Sequence, residues 1–252
     1  MNEIEQSQEP ILPEMAELWQ QTLDWQPTDL QQLKFQQLYQ QILAGNRQLN
    51  LTRITEPSEF WEKHLWDSLR GIFSPASPIS YPPLPHLIDI GTGAGFPGLA
   101  VAIAQPAWDV TLLDSTRKKM HFLDHLLEGL EIPNAHTLVE RVETVGQLSS
   151  HRQTYDIALV RAVATAPICA EYALPLLQPN GLAVLYRGQW TVEETVALEP
   201  VVKILGGTIA EIETFKTPLT RSDRHCLYLK KIAPTPPDFP RAVGIPTQKP
   251  LG

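Results

Sequence analysis

Cysteine is nearly absent from this chain of 252 residues: Cys169 and Cys226 stand alone, far from any C-x-x-C spacing. A disulfide framework and a cysteine zinc site are therefore excluded, and no bound metal is expected. Long hydrophobic runs are missing as well, for nothing approaches the roughly 18 to 20 apolar residues of a membrane span. A basic leader is missing too, since the first nine residues carry Glu3, Glu5 and Glu9 and no cation. These absences predict a soluble, cytoplasmic protein and deprive Asn50-Leu51-Thr52 of meaning as a glycosylation sequon. An excess of positive charge is also lacking. The net charge of −8 argues against a protein that coats nucleic acid by bulk electrostatics. Its distribution is uneven, however. After Val201 eight basic residues face four acidic ones, a net of +4, and residues 1–201 carry −12. An acidic body with a basic last quarter is compatible with polyanion contact on one face.

What is present is enough apolar residue, 43% of the chain, to bury a substantial core. The first 45 residues are rich in Gln and Leu at helical spacing, with Leu30, Leu33, Leu38 and Ile42 on one stripe and Thr28 able to cap it. A further helix starts at Pro57 and carries Phe60, Trp61, Leu65, Leu69 and Ile72, until Ser74-Pro75-Ala76-Ser77-Pro78 breaks it. Residues 74–85 read as a connector. From His86 short apolar runs at 86–90, 109–114, 136–140, 156–161, 182–187, 208–214 and 225–231 alternate with helices near 97–105, 117–128, 167–177 and 191–205. That alternation predicts an α/β fold, Rossmann-like, with a mostly parallel seven-stranded sheet. The loop at Pro218 is too short for a parallel crossover, so the last strand should run antiparallel. The expected organisation is an N-terminal helical extension (1–73), a Rossmann-like domain (74–233) and a Pro-rich basic tail (234–252), extended and weakly ordered unless docked.

The most informative segment is Asp89-Ile90-Gly91-Thr92-Gly93-Ala94-Gly95-Phe96-Pro97-Gly98, which leaves a buried strand, turns on glycines and enters a helix. Glycines there permit positive φ and let a ligand approach bare backbone. The next strand ends in Asp114, twenty-three residues after Gly91, where a carboxylate can accept both hydroxyls of an adenosyl ribose. Asp89 sits two residues before the first glycine. A carboxylate aimed into the loop would repel a pyrophosphate yet can receive the ammonium of a methionine moiety, which favours S-adenosylmethionine over a nicotinamide dinucleotide. The alternative is that Asp89 ties down the loop's own amides.

Further candidates gather at the carboxyl ends of later strands, where open α/β sheets bind ligands. Val142 and Glu143 follow one strand and can meet an adenine edge. Arg161 and Arg187 each stand at the mouth of another, and two arginines converging on one crevice suit an anionic substrate. On the helix before the sheet, His64 and Ser68 fall on the apolar face with Asp67 beside Phe60, and polar groups there need partners. They join either a network that seals helix to sheet or a substrate contact. Asn50, Thr52 and Arg53 precede that helix and can line the same crevice. The cations Arg117, Lys118 and Lys119 crowd the first turn of a helix whose positive end disfavours them.

These residues resemble the small-subunit ribosomal RNA guanine-N7 methyltransferase G family, also called glucose-inhibited division protein B. The matches are Asn50-Leu51-Thr52, His64-x-x-Asp67-Ser68, Asp89-x-Gly91-Thr92-Gly93-x-Gly95-Phe96-Pro97-Gly98, Leu113-Asp114-Ser115, Arg161-Ala162, Tyr186-x-Gly188 and the Pro240-Arg241 tail. The resemblance implies a class I S-adenosylmethionine-dependent methyltransferase, acting on N7 of one guanine in the 530 loop of 16S rRNA, free or in the small ribosomal subunit. It also implies cofactor contacts at Gly91, Phe96, Asp114, Ser115, Thr116, Val142, Glu143 and Arg161, beside Asp89, Gly93 and Gly95 from the loop itself. Arg187 stands where the family commonly has lysine.

Guanine N7 carries a free lone pair, so attack on a sulfonium methyl needs no general base, and Arg161 and Arg187 are expected to position the reactants. Asn50, Arg53, His64 and Ser68 are the substrate-side candidates. The rival readings are a methyltransferase for a small acid or a protein, and a non-catalytic module on the same fold. A monomer is expected. Arg241 and Lys249 in the tail are expected to help capture RNA, with cofactor binding independent of them.

Overall fold

The computed structural model describes residues 10–74 and 82–252. The acidic leader and most of the expected connector lie outside the described residues. Seven strands form one sheet: β1 (His86–Ile90), β2 (Asp109–Asp114), β3 (Ala135–Val139), β4 (Tyr155–Arg161), β5 (Leu177–Arg187), β6 (Gly207–Lys216) and β7 (Asp223–Lys231), in the order β3-β2-β1-β4-β5-β7-β6. All neighbours from β3 to β5 pair parallel. β7 pairs antiparallel with both β5 and β6, the direction the short Pro218 loop demands. β5 begins five residues earlier than its apolar run because a register shift at Tyr155/Ile157 admits Leu177 to the ladder.

A parallel sheet covered on both faces must be apolar on both, and strand alternation sends successive residues to opposite cores. Leu87, Val110, Leu112, Leu159 and Val184 pack into one cluster, and Ile88, Leu113, Ala158, Val160 and Leu185 into the other. The first is covered by α5 (Gly98–Ala104) and α6 (Arg117–Gly129), together with the N-terminal helices α1 (Ala16–Leu23) and α2 (Asp29–Leu49) and a segmented helix. That segmented helix comprises α3 (Pro57–Phe60), a π-helical turn (Trp61–Trp66) and α4 (Asp67–Phe73). The second cluster is covered by α7 (Val142–Val145), α8 (Ala166–Ala173) and α9 (Val192–Ile204), with Phe239 and Leu251 packed against it.

Two expectations need correction. Thr28 does cap α2, in a capping box with Gln31, but the buried stripe is Phe35, Leu38, Tyr39 and Ile42, and Leu30 and Leu33 are 61% and 53% exposed. The first turn of α2 does touch α5, where Gln31 donates to the Ile103 and Ala104 carbonyls, but at about 100° per residue Leu30 and Leu33 fall on the face opposite Phe35 and point to solvent. The segment from Pro234 takes the docked alternative, and it is Arg241 within it that departs from expectation. Prolines offer carbonyls without N–H groups, so such a chain is bound by donors. The Arg152 guanidinium donates to the Phe239, Thr235 and Pro236 carbonyls at 2.6, 2.9 and 3.1 Å, and Gln147 donates to Pro237 and Pro240. Arg241, expected to be free for RNA, donates its N, Nε and Nη2 groups to the buried Glu171. A short helix, α10 (Ile245–Gln248), follows. Among the described residues no helix is long and apolar enough to cross a membrane.

Candidate functional site

The loop after β1 is built on three positive φ angles, +71° at Gly91, +60° at Gly93 and +97° at Gly95. A left-handed backbone of this kind costs an L side chain about 1 to 2 kcal/mol, and glycine nothing. At Gly95 space is refused as well, since a Cβ would come within 2.3 Å of Leu99. Gly91 and Thr92 donate to the Leu113 carbonyl, which joins the loop to β2. At the end of β2, Asp114 accepts from Gly93 N at 3.0 Å and Thr116 N at 2.8 Å, just ahead of the first turn of α6. Beneath the loop, fully buried Asp89 accepts from Thr92 Oγ1 at 2.6 Å and Gly98 N at 2.7 Å. Gly98 begins α5, one residue after Pro97 rather than on it.

The geometry at Asp89 is thus the loop-tying alternative. Its other oxygen, Oδ1, has no hydrogen-bond partner among the described residues. Burial pushes the carboxyl up to about 6, against the opposing pull of Thr92, Gly98 and Arg161. An orphaned acceptor of this kind is costly, and a cationic group reaching it would be favoured.

Two cavities open along the carboxyl edge of the sheet. The first, about 320 Å³, has Gly91, Asp114 and Ser115 on one side and Glu140, Val142 and Glu143 on another. Tyr172 and Thr247 also line it. Glu143 is buried and accepts the Tyr172 hydroxyl at 3.3 Å and Gly244 N at 3.0 Å. The second cavity, about 480 Å³, is lined by Lys63, His64 and Asp67 from the segmented helix and by Arg161, Arg187 and Arg224 from the sheet. Ala162 lines both. It follows Arg161 directly and holds φ of +57°, a strained conformation for alanine at the point where the cavities meet.

In the second cavity Arg161 Nη1 donates to Asp67 Oδ2 and to the Lys63 carbonyl, both at 3.1 Å, with the guanidinium 6.0 Å from the Tyr186 ring centre. Arg224 approaches the same carboxylate at 3.9 Å. Burial raises the Asp67 carboxyl, opposed first by Arg161 and then by Arg224. Arg187 donates to the Ala164 carbonyl at 2.7 Å, and Ala164 lines the first cavity, so Arg187 stands between the two. His64 shares a 2.8 Å hydrogen bond with Thr52 and stacks on Phe96 at 4.6 Å and 10°. Burial, then Arg161 and Lys63, lower its pKa to about 3, so the ring is neutral near pH 7.

The sequence candidates therefore divide. Gly91, Asp114, Ser115, Val142 and Glu143 come together on the first cavity, and His64, Arg161 and Arg187 on the second. Gly93, Gly95, Phe96 and Thr116 shape the loop around the first without lining it, Phe96 by stacking on His64. Ser68 lies buried behind His64, donating to its carbonyl, while the Ser68 carbonyl accepts the Tyr186 hydroxyl. Exposed Asn50, left-handed at the end of α2, and exposed Arg53 line neither cavity.

Lys63, Arg224, Tyr172 and Thr247 escaped the sequence reading. Arg224 had a usable signal: β7 is antiparallel, so its first residues lie at the edge where the parallel strands end, and His225 indeed pairs with Arg187. Glu62 was missed as well. Fully buried in the π-helical turn, it accepts from Leu219 N, Thr220 N and the Thr220 hydroxyl, fixing the β6–β7 loop to the helix that carries His64 and Asp67. Such wide turns are frequent at functional sites.

Comparison with known proteins places this geometry in a context. The GidB family, described as rRNA small subunit methyltransferase G, matches residues 31–227. A protein named ribosomal RNA small subunit methyltransferase G in Trichormus variabilis is 64% identical over 242 residues, covering 96% of this chain and 99% of that one. One of the same name in Gloeobacter violaceus is 51% identical over 235 residues, covering 93% and 92%. Among solved structures, a 16S rRNA (adenine(1408)-N(1))-methyltransferase from Catenulisporales acidiphilia with its cosubstrate SAM aligns at a TM-score of 0.50. It is 17% identical and covers 60% of this chain and 87% of that one, a likeness of fold.

Proposed function

This chain belongs to the rRNA small subunit methyltransferase G family and has the class I methyltransferase fold, and on that premise we propose that it methylates N7 of a guanine in the 530 loop of 16S rRNA with S-adenosylmethionine, in the cytoplasm. The observation that carries this reading is the shared wall at Ala162, which sets a cavity suited to an adenosyl group beside one suited to an anion.

The residues of the first cavity fit the cofactor. Asp114 offers carboxylate oxygens to ribose hydroxyls, Gly91 offers bare backbone, Leu113 and Val142 supply apolar walls, and Glu143 carries acceptors toward the adenine side. The orphaned Asp89 Oδ1 beneath the loop suits an ammonium group. When bound, S-adenosylmethionine supplies an electrophilic methyl on a cationic sulfur.

The second cavity has four cations, Lys63, Arg161, Arg187 and Arg224, against the single carboxylate of Asp67. That balance suits RNA phosphate and the O6 edge of guanine, which accepts hydrogen bonds from arginine. N7 is unprotonated, so the protein needs no base. Neutral His64 and paired Arg161 are matched to holding and aligning the base rather than to moving a proton. The acidic remainder of the chain confines attraction to this mouth.

The test is to incubate the protein with radiolabelled cofactor and either small subunits or naked 16S rRNA, then map 7-methylguanine by borohydride and aniline cleavage. rRNA from cells with and without the gene should differ by one cleavage in the 530 loop. Identical patterns would refute the reaction.

A further inference from the structure

The 234–252 segment does more than dock: it reaches the first cavity. Anchored by Arg152 and Gln147 and then by the three contacts of Arg241 to Glu171, it arrives at Gly244, whose N–H is accepted by Glu143 Oε1. The next helical turn brings Thr247 to the cavity lining, where Thr247 Oγ1 donates to the Gly244 carbonyl. Glu143, which holds the segment through Gly244, and Tyr172, which donates to Glu143, are themselves lining residues. The same carboxylate oxygen therefore serves the segment and the cavity wall.

We propose that residues 241–248 form the outer wall of the cofactor cavity, that Thr247 contacts the bound adenosyl group, and that the Arg241–Glu171 pair sets cofactor affinity by holding this wall in place. The inference rests on the reading of that cavity as the S-adenosylmethionine site. Glu171 is fully buried and Arg241 supplies its ion pair, so the segment has a strong reason to return to one position. Docking and cofactor binding then share Glu143, and linkage requires each to strengthen the other by the same factor. The proposal thus departs from the sequence expectation that cofactor binding is independent of this segment, and leaves the expected part of the segment in RNA capture as it stood.

The probe is S-adenosylhomocysteine, titrated calorimetrically into the full-length protein. Arg241→Ala should weaken binding about tenfold, the scale of one lost charged interaction, and Arg241→Lys should recover part of it. Thr247→Trp, at an exposed side chain that leaves packing intact, should weaken binding without lowering the melting temperature of the free protein. Hydrogen exchange at the Gly244 amide should slow when the ligand binds, a response that a merely structural anchor would not give. Asp114→Ala separates the two levels of the argument. If it loses binding while both Thr247→Trp and Arg241→Ala bind normally and Gly244 exchange is unchanged, the wall is refuted and the cavity assignment stands. If the wild-type protein fails to bind the probe, the cavity assignment fails and the wall with it. Should Arg241→Ala not fold, Thr247→Trp and the exchange measurement decide alone.

Discussion

Arg161 and Asp67 meet at 3.1 Å across 94 residues of chain, joining the end of β4 to the start of α4 with side chains only 14% and 12% exposed. This pair fixes the angle of the cation that faces the second cavity, and it ties that cation's activity to the stability of the fold.

Replacing Arg161 leaves the nearly buried Asp67 with only the longer 3.9 Å approach of Arg224. Arg161→Ala should therefore cost about 3 to 5 kcal/mol of stability as well as methyl transfer. The double variant Arg161→Ala/Asp67→Asn should recover much of the melting temperature and none of the turnover. Recovery of turnover in the double variant would show that the arginine only neutralises Asp67.

Asp114→Ala removes a carboxylate that also accepts from Gly93 and Thr116. Affinity for S-adenosylhomocysteine should fall tenfold to a hundredfold, from about 1.5 to 3 kcal/mol of lost charged hydrogen bonding. Circular dichroism should stay native. Unchanged affinity in calorimetry would remove Asp114 from the cofactor site.

Against the opposite trend from the raised Asp89 carboxyl, the stability contributed by His64 should fall as pH drops below neutrality. Its folded pKa of about 3 lies below the ordinary 6.5, so the unfolded chain takes up the proton first. The contribution is complete above pH 6.5 and shrinks as pH falls toward 3, by roughly 2 kcal/mol between pH 6.5 and 5. Melting curves of wild type and His64→Phe should diverge over that interval, the wild type falling faster. Parallel curves would mean the ring is solvated.

Gly98, the first residue of α5, and Gly93 in the loop before it should respond differently to alanine. At Gly98 a Cβ would sit 2.5 Å from Leu112, 2.8 Å from Asp89 Cβ and 2.9 Å from its Oδ2, so overpacking should cost about 1 to 3 kcal/mol or more. At Gly93 the nearest atom is 3.8 Å away and only the φ of +60° resists, about 1 to 2 kcal/mol. Thermal denaturation of both variants ranks them, and the reverse order would contradict the packing described under the loop.

The sheet was legible because each strand is a short apolar run between turn residues, and the loop because three glycines, Asp89 and Asp114 fall at fixed offsets. Local rules reached that far. The stripe on α2 was misread at Leu30 and Leu33 because leucine content set its phase, and the aromatic residues Phe35 and Tyr39 occupy the buried face instead. His64, Asp67 and Ser68 were placed by uniform helical spacing, which the π-helical turn breaks. Glu62 and Arg224 matter through partners 157 or 158 residues away and Thr247 through a cavity wall, and of the three only Arg224 carried a signal, in the direction of its strand. The docked segment was hidden for the same reason: its prolines describe an extended chain, while the donors that hold it, Arg152 and Gln147, belong to another part of the sequence.

The position of β7 has a consequence for the order of manufacture. It lies between β5 and β6 yet is translated after both, so β6 has no place in the sheet until β7 has emerged. Until then β5, with Leu182, Ala183, Val184 and Leu185 nearly or fully buried in the finished molecule, presents an unpaired edge to whatever surrounds the nascent chain. Arg224 arrives on that same late strand. A chain cut short before Asp223 would thus lack a cation of the second cavity and carry an open, apolar, aggregation-prone border.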